Sequence, residues 1–179
     1  NVVDATNLER NLYLTTQLLE MGANIIIALN MMDEVEEKNI QIDIDKLSKS
    51  LGVPITPTVG HKKKGMDNLM DIAIKAMNSK SSTTEVTYGE DIDKKIEFLR
   101  DELSTELDDE KYPLQWVAIK LLENDEYMIH FLEQKGTEKI INEVKSSIDE
   151  MVASSGMEPE MAIVDKRYEF INNIVQNSV

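Results

Sequence analysis

Cysteine is absent from the 179-residue chain, and histidine occurs only twice, as His61 and His130. Disulfides, thiolate metal sites and cysteine nucleophiles are therefore excluded. No apolar run approaches the roughly 18 residues that a membrane-spanning helix needs. No Gly-x-x-x-x-Gly-Lys-Ser/Thr phosphate loop occurs in the sequence, and His61 has no serine partner at a diagnostic spacing. We therefore expect no catalytic residues and no metal ligands in this chain.

Basic residues are also few, because 19 Lys and Arg stand against 34 Asp and Glu, giving a formal net charge of −15. Such an acidic chain repels nucleic acid and anionic lipid at long range, so we expect no nucleic-acid partner. With 41% hydrophobic and 30% charged residues, the composition is typical of a folded soluble protein. The sequence begins Asn1-Val2-Val3, inside an apolar run and without methionine or signal peptide, which predicts a piece of a longer protein.

The first part of the chain alternates predicted strands and helices. Apolar runs at 2–5, 24–29 and 53–56 are typical of short buried strands. Apolar residues at helical spacing predict helices at about 7–21, 42–51 and 66–77, with Gly22 and Gly52 as stop signals. The residues predicted to share the inward faces of these helices are, in order, Leu8, Leu12 and Leu19; Ile44, Leu47 and Leu51; and Leu69, Ile72, Ala73 and Ala76. Strands separated by helices and short loops favour a parallel sheet with right-handed crossovers.

The character of the sequence changes after residue 77. The segment 78–84 contains no apolar residue and predicts a boundary between an α/β domain at 1–80 and a second domain at 81–179. Beyond about Gly89 the spacing predicts only helices: one at about 92–103, one opened by Pro113, one at 126–133, one capped by Thr137 and one opened by Pro159. The second domain is therefore predicted to be an all-α bundle.

The motif Asn30-Met31-Met32-Asp33 follows directly on the apolar run Ile25 to Leu29. A short buried strand that ends in Asn-x-x-Asp suits guanine recognition, because the Asp carboxylate can accept two N–H bonds from the base while Asn steadies the loop. A plain strand-to-helix turn, held by local hydrogen bonds of Asn and Asp, is the competing interpretation.

Other polar and sulfur-containing residues give weaker signals. His130 lies among apolar neighbours on a predicted helix, which is typical of a structural or surface position. The acidic clusters at 34–37 and 108–110 offer oxygen ligands for Fe²⁺ or Mg²⁺. Consecutive carboxylates point in different directions, however, so a solvated surface is favoured. Met128, Met151 and Met161 are predicted to pack in a helical core rather than to line a cofactor pocket.

Taken in order, several segments resemble the ferrous iron transport protein B family. Residues 4–14 are similar to the segment after that family's second switch region, and residues 30–33 to its guanine-specificity motif. Residues 112–123 and 167–171 resemble landmarks of the helical domain that the family places between its GTPase and membrane parts. Each motif alone is weak, but two independent halves in the same order make the resemblance specific over essentially the whole chain.

The resemblance implies roles for the residues around the first motif. Asn30 and Asp33 would select guanine. Met31 stands where the family usually has lysine, and it can cover the base by dispersion but supplies no ammonium group. We therefore expect modest base affinity, with discrimination against adenine retained through Asp33.

A second base-contacting loop is implied at Thr58, Val59 and Gly60, ahead of His61. The family often has Ser-Ala-x there, and a backbone N–H of that loop meets the guanine carbonyl oxygen. Val59 and Gly60 depart from that pattern, which a backbone donor tolerates. An ordinary strand-to-helix loop remains an equal alternative, and the lysines at 62–64 are predicted to be solvated rather than to attract the nucleotide.

The family's fold implies that this chain is the C-terminal half of a P-loop GTPase-type parallel sheet, about three strands with helices, followed by a helical regulatory domain. The phosphate-loop strand, both switches and the magnesium ligands would lie in a missing N-terminal half. The resemblance implies a parent protein that hydrolyses GTP with Mg²⁺ and so controls Fe²⁺ uptake by its transmembrane domain, from the cytoplasmic side of the plasma membrane. The helical domain would tune nucleotide affinity and transmit the state of the bound nucleotide toward the membrane part.

The present chain alone is expected to be a soluble piece without GTPase activity. The alternative is a stand-alone helical interaction module on an α/β stub that binds no GTP or GDP. In the family's sheet the strand near Val2 and Val3 lies beside the phosphate-loop strand, so its outer edge would be bare here. We expect that edge to be covered by the missing N-terminal half, or by self-pairing into a homo-oligomer.

Overall fold

A three-stranded parallel sheet organises the first half of the chain in the computed structural model, which describes residues 1–77, 84–109 and 111–179. The strands are β1 (Val2–Asp4), β2 (Ile27–Asn30) and β3 (Ile55–Pro57), in the order β1-β2-β3. The register pairs Val3 with Leu29 and Ile27 with Ile55. The predicted parallel α/β arrangement is thus confirmed.

Two strands begin later than their apolar runs predicted, β2 at residue 27 rather than 24 and β3 at residue 55 rather than 53. The reason is that a strand extends only as far as its neighbours can pair with it. Since β1 starts at residue 2 and pairs with β2 from Ala28, residues 24–26 lie outside the ladder. An apolar run indicates which residues are buried, whereas the lengths of the neighbouring strands determine which of those residues form strand hydrogen bonds.

Four helices accompany the sheet: α1 (Leu8–Glu20), α2 (Met32–Glu37), α3 (Ile44–Leu51) and α4 (Met66–Ala76). A short 3₁₀ turn precedes α1, and the Asp4 carboxylate caps it by accepting from the Thr6 N–H at 2.8 Å. The predicted start of α3 at residue 42 moves to 44, because the Asp43 carboxylate accepts from the Lys46 N–H at 2.9 Å and so ends the extended segment. Helix α2 was not among the helices predicted from the sequence.

One apolar core holds these elements together. It joins the sheet to α1, α3 and the end of the last helix of the chain, through the buried side chains Val3, Leu8, Leu12, Leu19, Ile27, Leu29, Val35, Leu47, Leu51, Ile55, Ile171 and Ile174. The inward faces that the helical spacing predicted for α1 and α3 are therefore correct.

Helix α4 departs from this pattern, because none of its residues is fully buried. The side chains expected to face inward, Leu69, Ile72, Ala73 and Ala76, are only half-buried. Met70, Ile74 and the following Met77 are exposed, and their spacing places them along one side of the helix. The apolar surface of α4 is thus larger than the described sheet can cover.

The rest of the described chain is helical, as predicted. Its helices are α5 (Glu90–Ser104), α6 (Leu114–Leu122), α7 (Glu126–Lys135), α8 (Glu138–Ser155) and α9 (Pro159–Ser178). Pro113 precedes α6 instead of being its first residue. Thr137 lies at the start of α8 as predicted, but its hydroxyl donates to the Leu132 carbonyl at 2.9 Å and makes no capping bond.

A second core is formed where α5 packs on α6 and α8, and α7 on α6 and α8. Met128 and Met151 are buried in it, whereas Met161, expected in the core, is exposed. Arg167 is almost fully buried, and its guanidinium donates to the Glu123 carboxylate, which also accepts from Lys120 at 2.7 Å. The buried charge of Arg167 is therefore neutralised within the protein.

The chain divides into two compact units, Asn1–Val86 with Tyr168–Val179, and Thr87–Arg167. The second half of α9 thus belongs to the first unit, although its sequence continues from the second. Most of the boundary predicted at 78–84 falls on residues 78–83, outside the described residues, so that boundary stays a prediction. No helix within the described ranges is both long and apolar enough to cross a membrane.

Candidate functional site

Asn30 connects the two loops at the carboxyl ends of β2 and β3. Its side-chain Oδ1 accepts from the Gly60 N–H at 2.9 Å and from the Thr58 hydroxyl at 3.3 Å. The Met32 N–H adds a weaker bond to the Thr58 carbonyl at 3.4 Å. Because the strands are parallel, both loops leave the sheet at the same edge, and Asn30 fixes their separation.

Met31 adopts the left-handed backbone conformation, with φ 65° and ψ 30°, between the end of β2 and the start of α2. A residue with a side chain disfavours this region by about 1–2 kcal/mol. Strain of this kind is often found at functional sites, where the surrounding structure enforces it. Here it lies at the turn between β2 and α2, and the residues on either side of that turn, Asn30 and Asp33, both contact the loop that follows β3.

Asp33, on the first turn of α2, faces that same loop. Its Oδ2 lies 2.8 Å from Lys62 Nζ and 3.4 Å from His61 Nε2. Its Oδ1 is buried and has no hydrogen-bond partner in the part of the chain that the structure describes, and the side chain as a whole is 18% exposed. One carboxylate oxygen thus has its hydrogen-bonding capacity unused.

The electrostatics of Asp33 follow from this contact. The hydrogen bond and charge of Lys62 hold the pKa of the Asp33 carboxyl below its usual value, with a smaller contribution from His61. Reciprocally, Asp33 raises the pKa of Lys62 above its usual value, and Glu36 and Glu37 add to that effect. Both groups of the pair are therefore ionised across the physiological pH range.

The backbone donors of the second loop are largely engaged within the protein. The Thr58 N–H donates to the Leu29 carbonyl at 2.7 Å, the Val59 N–H to the Lys64 carbonyl at 3.1 Å, and the Gly60 N–H to Asn30. The next N–H, that of His61, takes part in none of the backbone hydrogen bonds found between this loop and its surroundings. A Cβ at Gly60 would lie 3.5 Å from Asn30 Oδ1, so steric contact does not require glycine there.

The second loop is also closed on itself. Val59 and Lys64 pair through both backbone groups, at 3.1 and 3.2 Å, and the Lys62 N–H donates to the Val59 carbonyl. Gly65 ends the loop with φ 83°, and a Cβ there would lie 2.3 Å from the Pro57 carbonyl oxygen. Glycine is therefore required at position 65 for two reasons, its positive φ and the close approach of the strand before it.

Other candidates from the sequence do not come together into a site. His130 is exposed on α7, with Nδ1 3.3 Å from the Glu133 carboxylate. Glu34 forms a long ion pair with Lys38 at 3.9 Å. Outside residues 78–83 and Glu110, which are not described, no group of three or more His, Cys, Asp or Glu side chains is placed to hold a metal ion.

The two strand-end loops, tied by Asn30 and carrying an Asn-x-x-Asp motif beside a parallel sheet, define a G-domain type of fold, here followed by a helical domain. Comparison with known families agrees. Residues 1–73 match the family described as ferrous iron transport protein B, and residues 88–179 match the FeoB cytosolic helical domain. The chain belongs to the FeoB family.

Relatives of known identity extend well beyond this chain. It is 37% identical to an Fe²⁺ transport protein A/Fe²⁺ transporter FeoB fusion protein from Porphyromonas gingivalis, and 36% identical to the Fe²⁺ transporter FeoB of Salmonella typhimurium. In each case the match covers 96% of this chain and 21% of the relative. The chain thus spans about a fifth of the length of these proteins.

Solved structures show the same fold. The chain superimposes on NFeoB from S. thermophilus bound to mGMPPNP with a TM-score of 0.81 at 32% identity, covering 99% of this chain and 66% of that one. For NFeoB of the same organism bound to GDP·AlF₄⁻ and K⁺ the TM-score is 0.83 at 33% identity, with 97% and 66% covered. Both of these neighbours were solved with a guanine nucleotide bound.

Proposed function

We propose that this chain provides the guanine-recognition end of a G domain, together with its helical regulatory domain, in a ferrous iron transporter. The observation that carries the proposal is the Asn30 bridge, which holds the Gly60 N–H at 2.9 Å and places Asp33 against the same loop. Membership of the FeoB family and the guanine nucleotides bound by its solved neighbours support it.

The base end of a guanine nucleotide fits the available groups. Asp33 would accept the two N–H groups of the guanine edge through its two carboxylate oxygens, once both are turned toward the base. Oδ1 has no hydrogen-bond partner among the described residues, and Oδ2 contacts Lys62. The His61 N–H, rather than those of Thr58, Val59 or Gly60, would donate to the guanine carbonyl. Met31 would lie near the ring and contribute dispersion without charge.

The phosphate end does not fit residues of this chain. Phosphoryl transfer needs a phosphate cradle and a metal clamp, and the sequence contains neither a phosphate loop nor the ligands that go with it. We therefore assign GTP hydrolysis and Mg²⁺ binding to the longer protein. Coupling of the nucleotide state to Fe²⁺ uptake by the transmembrane part, through the helical domain, belongs to the same proposal.

The decisive experiment replaces Asp33 by Asn in the full-length transporter. Asn has an NH₂ donor in place of one of the two acceptor oxygens of Asp, so it can no longer accept both N–H groups of guanine, and GDP affinity should fall about ten- to a hundredfold. Xanthine has an oxygen where guanine has its amino group, so affinity for xanthosine diphosphate should rise relative to affinity for GDP. Asp67→Asn, with the same loss of charge on α4, should leave both affinities unchanged. Selectivity for guanine over adenine nucleotides that survives Asp33→Asn would contradict the assignment.

The isolated chain should behave differently from the full-length protein. Without a phosphate cradle, we expect its binding of GTP or GDP to be very weak or undetectable by calorimetry. Micromolar affinity of the isolated chain would show that base contacts alone suffice, and would contradict this part of the proposal.

A further inference from the structure

Lys62 occupies the carboxylate oxygen that a guanine base would need. Its ammonium lies 2.8 Å from Asp33 Oδ2, and the His61 ring nitrogen is 3.4 Å from the same oxygen. The other oxygen, Oδ1, is buried. A base edge requires both oxygens of Asp33 on one accessible side, which the present arrangement does not offer.

The backbone keeps Lys62 in position for this contact. The Lys62 N–H donates to the Val59 carbonyl, the Lys63 N–H to the Gly60 carbonyl, and Gly60 is itself held by Asn30. The turn closes with Lys63 at φ 54°. The lysine side chain therefore starts from a fixed Cα on the same loop that would contact the base, and it is tethered next to Asp33.

A guanine base and the Lys62 ammonium would compete for the same carboxylate, because both offer N–H donors to it. Guanine offers two N–H donors, and the lysine ammonium offers three donors with a full positive charge. A tethered group competes at a high effective concentration, which a free ligand has to overcome. The surrounding charges favour the closed pair, because Glu36 and Glu37 also attract Lys62.

We propose that Lys62 is an internal competitor for the base-recognition carboxylate, so that a guanine base binds only after the ammonium has left Asp33. This inference rests on the proposed function, because it assumes that Asp33 reads the base. Lys62 then lowers the apparent affinity by the fraction of time for which the pair is closed. For an ion pair with this exposure the expected effect is about two- to fivefold.

The matched control lies next to Lys62 in the sequence. Lys62→Met removes the ammonium and keeps an unbranched side chain that is one heavy atom shorter. Lys63→Met makes the same change in net charge on the same exposed loop. General attraction between the lysines and a phosphate affects both variants alike, so only the direct competition at Asp33 distinguishes them.

The experiment titrates GDP by calorimetry into the full-length transporter and into its Lys62→Met and Lys63→Met variants. Lys62→Met should lower the dissociation constant about two- to fivefold relative to the unmodified transporter, and Lys63→Met should not. Thermal unfolding curves of both variants establish that each is folded.

The outcomes separate the inference from the proposed function. If Lys62→Met leaves the dissociation constant unchanged or raises it, while Asp33→Asn weakens GDP binding, the competitor role is wrong and base recognition by Asp33 stands. If Asp33→Asn binds GDP as the unmodified transporter does, or if the unmodified transporter binds no GDP, base recognition at Asp33 fails, and the competitor role fails with it.

Discussion

Single residues determine the geometry of the candidate site, and Asn30 makes the most hydrogen bonds between its two loops. One oxygen of its side chain accepts two hydrogen bonds from the loop after β3, while its backbone ends β2. Met31 then turns the chain by adopting a left-handed conformation. The relative position of Asp33 and the second loop therefore depends on two neighbouring residues.

Replacing Asn30 by Ala should loosen this link. The Gly60 N–H would lose its acceptor, and the Thr58 hydroxyl would keep only its 3.3 Å bond to the Leu29 carbonyl. We therefore expect unfolding in urea to show a loss of about 0.5–1.5 kcal/mol. Amide hydrogen exchange at Gly60 should accelerate. The control is Asn11→Ala, because Asn11 makes an exposed 2.9 Å bond to the Asn7 carbonyl on α1 and should change stability by less than about 0.5 kcal/mol. Equal effects of the two substitutions would contradict the role of Asn30.

The Asp33–Lys62 pair predicts a pH dependence with a definite sign. Because the pKa of Asp33 in the folded chain lies below its usual value, the pair stabilises the fold above about pH 4. That contribution disappears as the pH falls through the lowered pKa. The carboxyl carbon of Asp33, followed by NMR, should titrate below the usual range for aspartate, and Lys62→Met should move its midpoint upward. A midpoint that Lys62→Met does not change would show that the ion pair does not persist in solution.

At the scale of elements, the loop between β3 and α4 is shaped by backbone contacts more than by side chains. The double pairing of Val59 with Lys64 closes it, and Gly65 brings it back against the carbonyl of Pro57. This compact loop delivers the N–H groups and side chains of residues 60–62 to Asn30 and Asp33.

Substitution of Gly65 by Ala tests that close approach, and Gly22 provides the control. Both glycines have positive φ, 83° and 64°, but only at Gly65 would a Cβ meet backbone, since nothing lies within 4 Å at Gly22. Gly22→Ala should destabilise by about 1 kcal/mol, the cost of the conformation alone. Gly65→Ala should cost at least about 2 kcal/mol more, because the strand or the loop has to shift. Matching urea midpoints for the two variants would be inconsistent with the observed contact.

At the scale of the whole molecule, the sheet ends on an edge strand with no further partner in the described residues. The Asn1 carbonyl accepts from the Ala28 N–H at 2.9 Å, so the alternation along β1 directs the backbone groups of Val2 and Asp4 away from β2. Val2 is 69% exposed, and the apolar side of α4 formed by Met70, Ile74 and Met77 is exposed as well. Edges of this kind readily take another strand.

We therefore expect the isolated chain to self-associate through β1 in a concentration-dependent manner, measurable by sedimentation velocity. Val2→Lys should shift the equilibrium toward monomer, because a charged side chain on an edge opposes strand pairing. Leu14→Lys, at an exposed apolar position on α1, should not. A monomer that resists concentration, with Val2 and Asp4 amides already protected from exchange, would contradict this expectation.

Much of the fold followed from local patterns. Glycine stop signals and three-and-four spacing located α1 and α3, and the contrast between short apolar runs and long amphipathic segments separated the sheet from the helices. The small helix α2 was not predicted, because its six residues are largely acidic and show little periodicity of apolar side chains. The inward face of α4 was overestimated, since helical spacing identifies an apolar side without showing whether anything covers it.

The sequence by itself determined the alternation of strands and helices apart from α2, and the position of Asn30 and Asp33 after a buried strand, because these are read from patterns within short stretches of the chain. The alternation in turn implied the parallel sheet. Only the tertiary structure decided which groups meet: Asn30 with Gly60, 30 residues apart, and Asp33 with Lys62, 29 residues apart. Such contacts arise from the register of parallel strands and the closure of a loop, and neither leaves a periodic trace in the sequence.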